Sequence, residues 1–207
     1  MFEAVIFDFD DVIVDTQRIK FHAYSKVLKR YGLEISEEEY LKEWNKTASG
    51  VKAILLKNKN TLDFDSFRKE GSEVYLDMLE TKLKPIDGAI DVLNKIKIKK
   101  GLASNSKEEH VAYCIDKLKI RDKFDVIVTG SDVSKPKPDP EIFLTAANLL
   151  GIKAENCLAV DDHVVGIKAA KTAGMVAAAI PHGYSQDQNF SQADYILKNI
   201  KEVLKLI

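Results

Sequence analysis

Cysteine is scarce in this chain: only Cys114 and Cys157 occur among 207 residues. One falls in a helical pattern and the other in a strand pattern, and neither has metal-ligand spacing or a partner for nucleophilic catalysis. They read as small buried hydrophobes of a reducing compartment, which excludes a disulfide scaffold and a thiolate metal site. Excess charge is also missing. Lys and Arg number 31 against 32 Asp and Glu, a formal net charge of -1 with the signs interspersed, so there is no electrostatic footprint for nucleic acid. No apolar run approaches the roughly 20 residues of a membrane span, and the first strand follows Met1 closely with no signal-peptide pattern. The expectation is a soluble, cytoplasmic protein with no membrane or nucleic-acid partner. No internal repeat is visible, and the lysine-rich stretches read as solvated helix faces. Of the four histidines, His22, His110 and His182 lack a carboxylate or cysteine at ligand spacing and are read as structural.

What is present is a series of short apolar runs that end in polar groups. Val5-Ile6-Phe7-Asp8-Phe9-Asp10 reads as a buried strand whose two carboxylates, two residues apart, address one volume. Two such anions are costly unless a divalent cation joins them, or one stays ionised while its neighbour holds a proton. Gly101 to Ser106 ends in hydroxyl and amide groups suited to phosphate oxygens, with Ser104 and Asn105 as the candidate donors. Ser106 and Glu109 have capping-box spacing, which assigns Ser106 to a helix start. In Ser134-Lys135-Pro136-Lys137-Pro138-Asp139-Pro140 the prolines hold a lysine, taken to be Lys135, in a fixed place. Asn156 to His163 is another strand, ending in Asp161-Asp162, with an Ala-rich helix from Val164 to Ala173 after it.

Strands and helices alternate, the signature of a parallel sheet covered on both faces. Candidate strands are 4–9, 99–104, 126–129, 157–160, 176–180 and 195–197. The helices between them include 89–97, 108–118 and 141–150, the last with Asp139 to cap it, Pro140 in its first turn and Gly151 beyond its end. The expected fold is α/β, a Rossmann-like doubly wound parallel sheet, in which ligands bind beyond the carboxyl ends of the strands. All four motifs fall there. From about Asp15 to Thr81 only helical periodicity is seen, with a capping box at Ser36 and Glu39. The chain is therefore divided into a discontinuous core, 1–14 with 82–207, and an inserted helical module over 15–81.

Together the four segments resemble the haloacid dehalogenase superfamily, in the branch of β-phosphoglucomutase and phosphoglycolate-type phosphatases. The matching stretches are Asp8-Phe9-Asp10 with Val12, Ser104, Lys135 to Asp139, and Asp161-Asp162 with Gly166, Ala169, Ala170, Ala173, Gly174 and Met175. The resemblance implies a helical cap at 15–81 and a Mg²⁺-dependent phosphatase for a small phosphorylated metabolite. Asp8 is the implied nucleophile, forming an aspartyl-phosphate, and Asp10 the proton carrier. Mg²⁺ would be held by Asp8, the carbonyl of Asp10 and one or both of Asp161 and Asp162, with Asp162 the closer match to a direct ligand. Lys135, Ser104 and Asn105 would neutralise and bind phosphate.

Some residues depart from the family's pattern. Asp11 replaces a usual glycine, which adds an acid and restricts the loop. His163 stands where a small serine is common and is read as a supporting or surface residue. Lys20 stands where the mutases place a histidine, and Thr16 lies at the hinge beside it. The stretch Thr47 to Lys52 lacks the arginine a mutase would use for a second phosphate. Hydrolysis is therefore favoured over intramolecular transfer, with a β-phosphoglucomutase-like activity as the alternative. A non-catalytic binding role is disfavoured because every charged group is present, and Asp10 counts against a dehalogenase or a phosphonatase-like enzyme.

Overall fold

The computed structural model describes residues 2–47 and 63–207. Six strands, β1 (Ala4–Phe7), β2 (Lys99–Ala103), β3 (Val126–Val128), β4 (Cys157–Asp161), β5 (Val176–Ala179) and β6 (Tyr195–Ile196), form one sheet. Its order is β3-β2-β1-β4-β5-β6, and every pairing is parallel. Strands covered on both faces need apolar side chains on both faces. β1 and β4 accordingly have no exposed residue in Ala-Val-Ile-Phe or Cys-Leu-Ala-Val-Asp. The first strand ends at Phe7, two residues before the expected limit, so Asp8 and Asp10 lie on the turn beyond it.

The sheet is covered by α4 (Ala89–Lys95), α5 (Glu108–Leu118), α6 (Glu141–Leu150) and α7 (Val164–Thr172). α6 begins where Asp139 accepts the Glu141 N–H at 3.1 Å and stops at Gly151, whose φ of 70° is a left-handed conformation glycine adopts without a Cβ penalty. Ile142, Phe143, Ala146 and Ala147 of α6 pack with Ile6 of β1 and Ile167 of α7 in one buried cluster. The chain runs from β1 through β2 to β3 on one side, then from β4 to β6 on the other. The topological switch point therefore lies between β1 and β4.

Contacts divide the chain into two compact units, Met1–Val14 with Pro85–Ile207, and Asp15–Lys84. The second unit contains α1 (Gln17–Arg30), α2 (Glu37–Thr47) and α3 (Phe64–Lys82). Within it the rings of Phe21 and Tyr40 lie 5.1 Å apart, and Tyr24 lies against Gly71, where a Cβ would overlap its ring. The Ser36 capping box forms in full: Ser36 N–H donates to Glu39 at 3.0 Å and Glu39 N–H to Ser36 Oγ at 3.1 Å. The segment after Thr47 read as a substrate loop lies outside the described residues. Among the described residues no helix is long and apolar enough to cross a membrane.

Candidate active site

The carboxyl ends of three neighbouring strands, β2, β1 and β4, converge on one lysine, and it is Lys137. Its Nζ donates to Asp8 Oδ1 at 2.7 Å, to Asp161 Oδ2 at 2.8 Å and to the Ala103 carbonyl at 2.8 Å, and lies 4.6 Å from the centre of the Phe143 ring. Lys135 is elsewhere: its side chain is 72% exposed and 3.9 Å from Asp139. The expectation that Lys135 meets the phosphate site is corrected on this geometry, and the cause is how the proline turn is tethered. Glu141 takes the N–H groups of Ser134 and Lys135, at 2.8 and 2.9 Å, and so ties both to the start of α6. Asn105 brackets the backbone of Lys137, accepting its N–H at 2.9 Å and donating to its carbonyl at 3.4 Å. The Asn105 amide, expected on phosphate, thus holds the lysine in place at both its ends.

Ser104 is buried after β2, and its Oγ accepts the N–H of Ser106 at 3.1 Å. The N-cap position of α5 falls on Lys107, one residue after Ser106. α5 starts at Glu108, whose N–H is taken by Ser131 Oγ at 3.2 Å, and the Ser106 hydroxyl donates to Asp10 Oδ2 at 2.5 Å. Capping-box spacing is a local signal and gives no hint of this contact with a carboxylate from a distant strand end.

Asp8, Asp10, Asp11, Asp161 and Asp162 are all buried. Burial pushes Asp8 up to about 7; Lys137 opposes the rise, while Asp161 and Asp10 add to it. Burial also works against the charge on Lys137, but Asp161 and Asp8 outweigh it and hold the ammonium above the ordinary lysine range. Asp162 is raised well above the usual carboxylate range by burial first, then by Asp11, Asp161 and Asp8, with a hydrogen bond from Ser185 opposing. Asp11 has a φ of 58°. Asp is one of the few residues with a side chain that visits this left-handed region, at a cost of roughly 1–2 kcal/mol. The loop therefore keeps a glycine-like turn while gaining an acid that acts on Asp162.

Asp162 Oδ2 is fully buried and has no hydrogen-bond partner. A buried carboxylate oxygen left so is stabilised by a cation, and this is where the residues fit a metal ion. Asp161 is differently placed, since Oδ2 meets Lys137 and Oδ1 accepts the His163 N–H at 2.9 Å. Its carboxylate lies so close to Gly166 that a Cβ there would overlap it. Among the described residues no three His, Cys, Asp or Glu side chains are grouped to hold a metal by themselves. A cation here would need backbone, water or substrate oxygens as well, which suits Mg²⁺. His163, expected as a supporting or surface residue, is 4% exposed; its Nδ1 accepts the Val165 N–H at 3.0 Å and caps α7.

Thr16 and Lys20 belong to the helical unit. Thr16 is buried at the start of α1, and its carbonyl accepts the N–H of Lys20 at 2.9 Å. Lys20 Nζ lies 5.6 Å from the centre of the Tyr75 ring.

Residues 5–180 match the haloacid dehalogenase-like hydrolase family. The chain belongs to that family. It is 32% identical to the beta-phosphoglucomutase of Bacillus subtilis, over 97% of this chain and 91% of that one. It is 29% identical to the phosphorylated carbohydrates phosphatase of Thermotoga maritima, over 98% of this chain and 100% of that one. Among solved structures it is similar to CbbY from Rhodobacter sphaeroides in complex with phosphate, with a TM-score of 0.88 and 25% identity over 98% of this chain and 96% of that one. As a haloacid dehalogenase-like hydrolase with phosphatase and phosphoglucomutase relatives, the chain is an enzyme, a phosphoric monoester hydrolase. Lys137 and Ser106 are the site residues that sequence reasoning missed. Both lysines of Lys135-Pro136-Lys137-Pro138 precede a proline, so the motif reads in two registers and only the tethers on either side decide between them.

Proposed function

We propose that this enzyme is a Mg²⁺-dependent phosphatase of small phosphorylated carbohydrates, working through an aspartyl-phosphate on Asp8. The observation that carries the reading is one buried ammonium, Lys137, bonded to both Asp8 and Asp161 beside an Asp162 oxygen without a partner. The names of the relatives supply the substrate class.

In the first step the Asp8 carboxylate attacks phosphorus and the ester P–O bond breaks, while Asp10 gives a proton to the departing alkoxide oxygen. In the second step the Asp10 carboxylate takes a proton from water as its oxygen attacks phosphorus. Inorganic phosphate leaves, and both Asp8 as carboxylate and Asp10 as acid are restored. Lys137 holds Asp8 in position and offsets negative charge as the dianionic ester enters, and Ser104 lies at the end of β2 to donate to a phosphate oxygen. Asp8, Asp162 and the Asp10 carbonyl would hold Mg²⁺, which when bound supplies positive charge to the phosphoryl oxygens and to Asp8. Asp161 serves by fixing Lys137. Substrate choice is assigned to the helical unit, with Thr16 and Lys20 as its candidate residues and Lys20 attracting an anionic group.

The β-phosphoglucomutase relative favours a second reading, transfer of phosphate within a sugar. Lys20 in place of a proton-shuttling histidine favours hydrolysis, since a lysine stays cationic near neutral pH. A panel of sugar phosphates assayed with Mg²⁺ tests both readings. The expected result is release of inorganic phosphate that chelation abolishes and Asp8→Asn removes. Formation of glucose 6-phosphate from β-glucose 1-phosphate faster than phosphate release would replace hydrolysis by transfer. Turnover by Asp8→Asn within a few-fold of wild type would exclude the covalent route.

A further inference from the structure

From the way the loop after β2 is built, we infer that Ser106 is a positioning residue for Asp10, orienting the carboxyl group of the proton carrier for both of its proton transfers. The inference rests on the phosphatase reading and deepens it. Ser106 stands three residues past the end of β2, and its backbone is fixed from two directions. Its N–H donates to Ser104 Oγ at 3.1 Å, and its carbonyl accepts the Gly130 N–H at 3.0 Å. Ser104 is itself anchored, since its N–H donates to the Val128 carbonyl at 3.0 Å. Gly130 admits the close approach: a Cβ there would stand 2.5 Å from the Asn105 carbonyl oxygen and 3.3 Å from that of Ser106. The backbone that presents the Ser106 hydroxyl is therefore clamped between β2 and the loop after β3. From it, the hydroxyl reaches the end of the neighbouring strand's loop and donates to Asp10 Oδ2 at 2.5 Å.

A hydroxyl donating to a carboxylate at that separation is a short, charge-assisted hydrogen bond. It fixes the plane of the Asp10 carboxyl group and leaves Oδ1 to face the reacting oxygen. Asp10 must alternate between giving and taking a proton, and both transfers need its oxygens at hydrogen-bond distance from a reacting oxygen. A donor that locks the carboxylate matters most when the leaving oxygen is a poor one and the transfer is demanding. The spacing to Glu109 gives Ser106 a plain structural alternative at the helix start, where the Glu108 N–H is taken by Ser131, and the substrate comparison below separates the two roles.

The test compares Ser106→Ala, Ser106→Thr, Asp10→Asn and the double variant Asp10→Asn with Ser106→Ala in the Mg²⁺-loaded enzyme. The substrates are a sugar phosphate, with its poor alkoxide leaving group, and an aryl phosphate with a good one. Ser106→Ala is expected to lower kcat on the sugar phosphate about tenfold more than on the aryl phosphate, with KM within about twofold. The same change in the Asp10→Asn background should add less than about twofold, because the partner it positions is gone. Ser106→Thr, which keeps the hydroxyl, should recover most of the loss. An equal fall on both substrates, a loss that adds in full to Asp10→Asn, or a rise in KM alone would overturn the inference, the last by making Ser106 a substrate contact. If Asp10→Asn itself shows wild-type leaving-group dependence, the reading of Asp10 falls and this inference with it. A steepened dependence in Asp10→Asn beside an unchanged one in Ser106→Ala removes only the role of Ser106.

Discussion

Replacing Lys137 by methionine keeps most of the side chain's length and apolar stem and deletes one charge. The ammonium is 4% exposed and bonds Asp8 at 2.7 Å, Asp161 at 2.8 Å and the Ala103 carbonyl at 2.8 Å. Without it, two buried carboxylates face each other and a buried carbonyl loses its donor. Removing one partner of a buried ion pair costs about 3–5 kcal/mol because the other charge is left uncompensated. For a chain of this size that lowers the melting temperature by about 6–20 °C. The penalty depends on pH with a definite sign. Asp8 is already pushed up to about 7, and once protonated it no longer needs the cation. The destabilisation by Lys137→Met should therefore be larger at pH 8 than at pH 5. Catalysis should fall about 10²–10³-fold, the loss typical of removing one group that stabilises developing charge. Lys135→Ala is the control, since an exposed lysine 3.9 Å from Asp139 contributes little. Its stability should stay within about 0.5 kcal/mol of wild type and its kcat/KM within about twofold. Urea unfolding at the two pH values and steady-state phosphate release on both variants make the comparison. A Lys137→Met protein within about 1 kcal/mol of wild type at pH 8, or a Lys135→Ala enzyme with the larger kinetic loss, refutes the assignment.

Gly166→Ala should destabilise the protein by about 1–3 kcal/mol, because its Cβ would overlap the Asp161 carboxylate; thermal melts at neutral pH read the shift, and a neutral substitution would mean that Asp161 is not packed against α7. Metal-free protein should lose stability as pH rises from about 4 to 7. Asp8 is raised from 3.8 to about 7, so its contribution is fully present below its unfolded value and is lost through its folded one, about 4 kcal/mol in all. Asp162, raised by burial, adds with the same sign. Urea midpoints in excess chelator that rise across this window would contradict the argument. Asp162→Asn should stabilise the metal-free protein by about 1–3 kcal/mol, as it removes a buried charge with an unpartnered oxygen, and weaken Mg²⁺ binding at least about tenfold by calorimetry; unchanged affinity would remove Asp162 as a ligand.

The sheet was legible because its signal is periodic and local: apolar runs of four or five residues with acids at their ends need burial on both faces and solvent or ligand beyond. Asp8, Asp10, Asp161 and Asp162 were legible for the same reason. The choice between Lys135 and Lys137 was not, since it is made by Glu141 pulling one backbone segment outward and Asn105 bracketing the other. Neither tether has a sequence period. Ser36 and Ser106 present the same three-residue spacing to a glutamate at a helix start, yet the Ser106 hydroxyl donates to a distant carboxylate. The difference is Asp10, which β1 delivers beside Ser106 from nearly a hundred residues away, while Ser36 has its own Glu39 as partner.

The register of β1 has a consequence for the order of assembly. Ala4 is paired with Lys99 on one side and Cys157 on the other, so the strand that leads to Asp8 is enclosed only by partners far along the chain. Contacts of such long sequence separation form slowly, because loop closure must precede them. Asp8 gains its place beside Lys137 and Asp161 only once the loop after β3 and the end of β4 have docked. No nascent intermediate that lacks β4 can hold the completed charge arrangement. A cation that binds it therefore acts only after topology is established, stabilising the finished molecule and leaving the early steps of folding to the apolar strands.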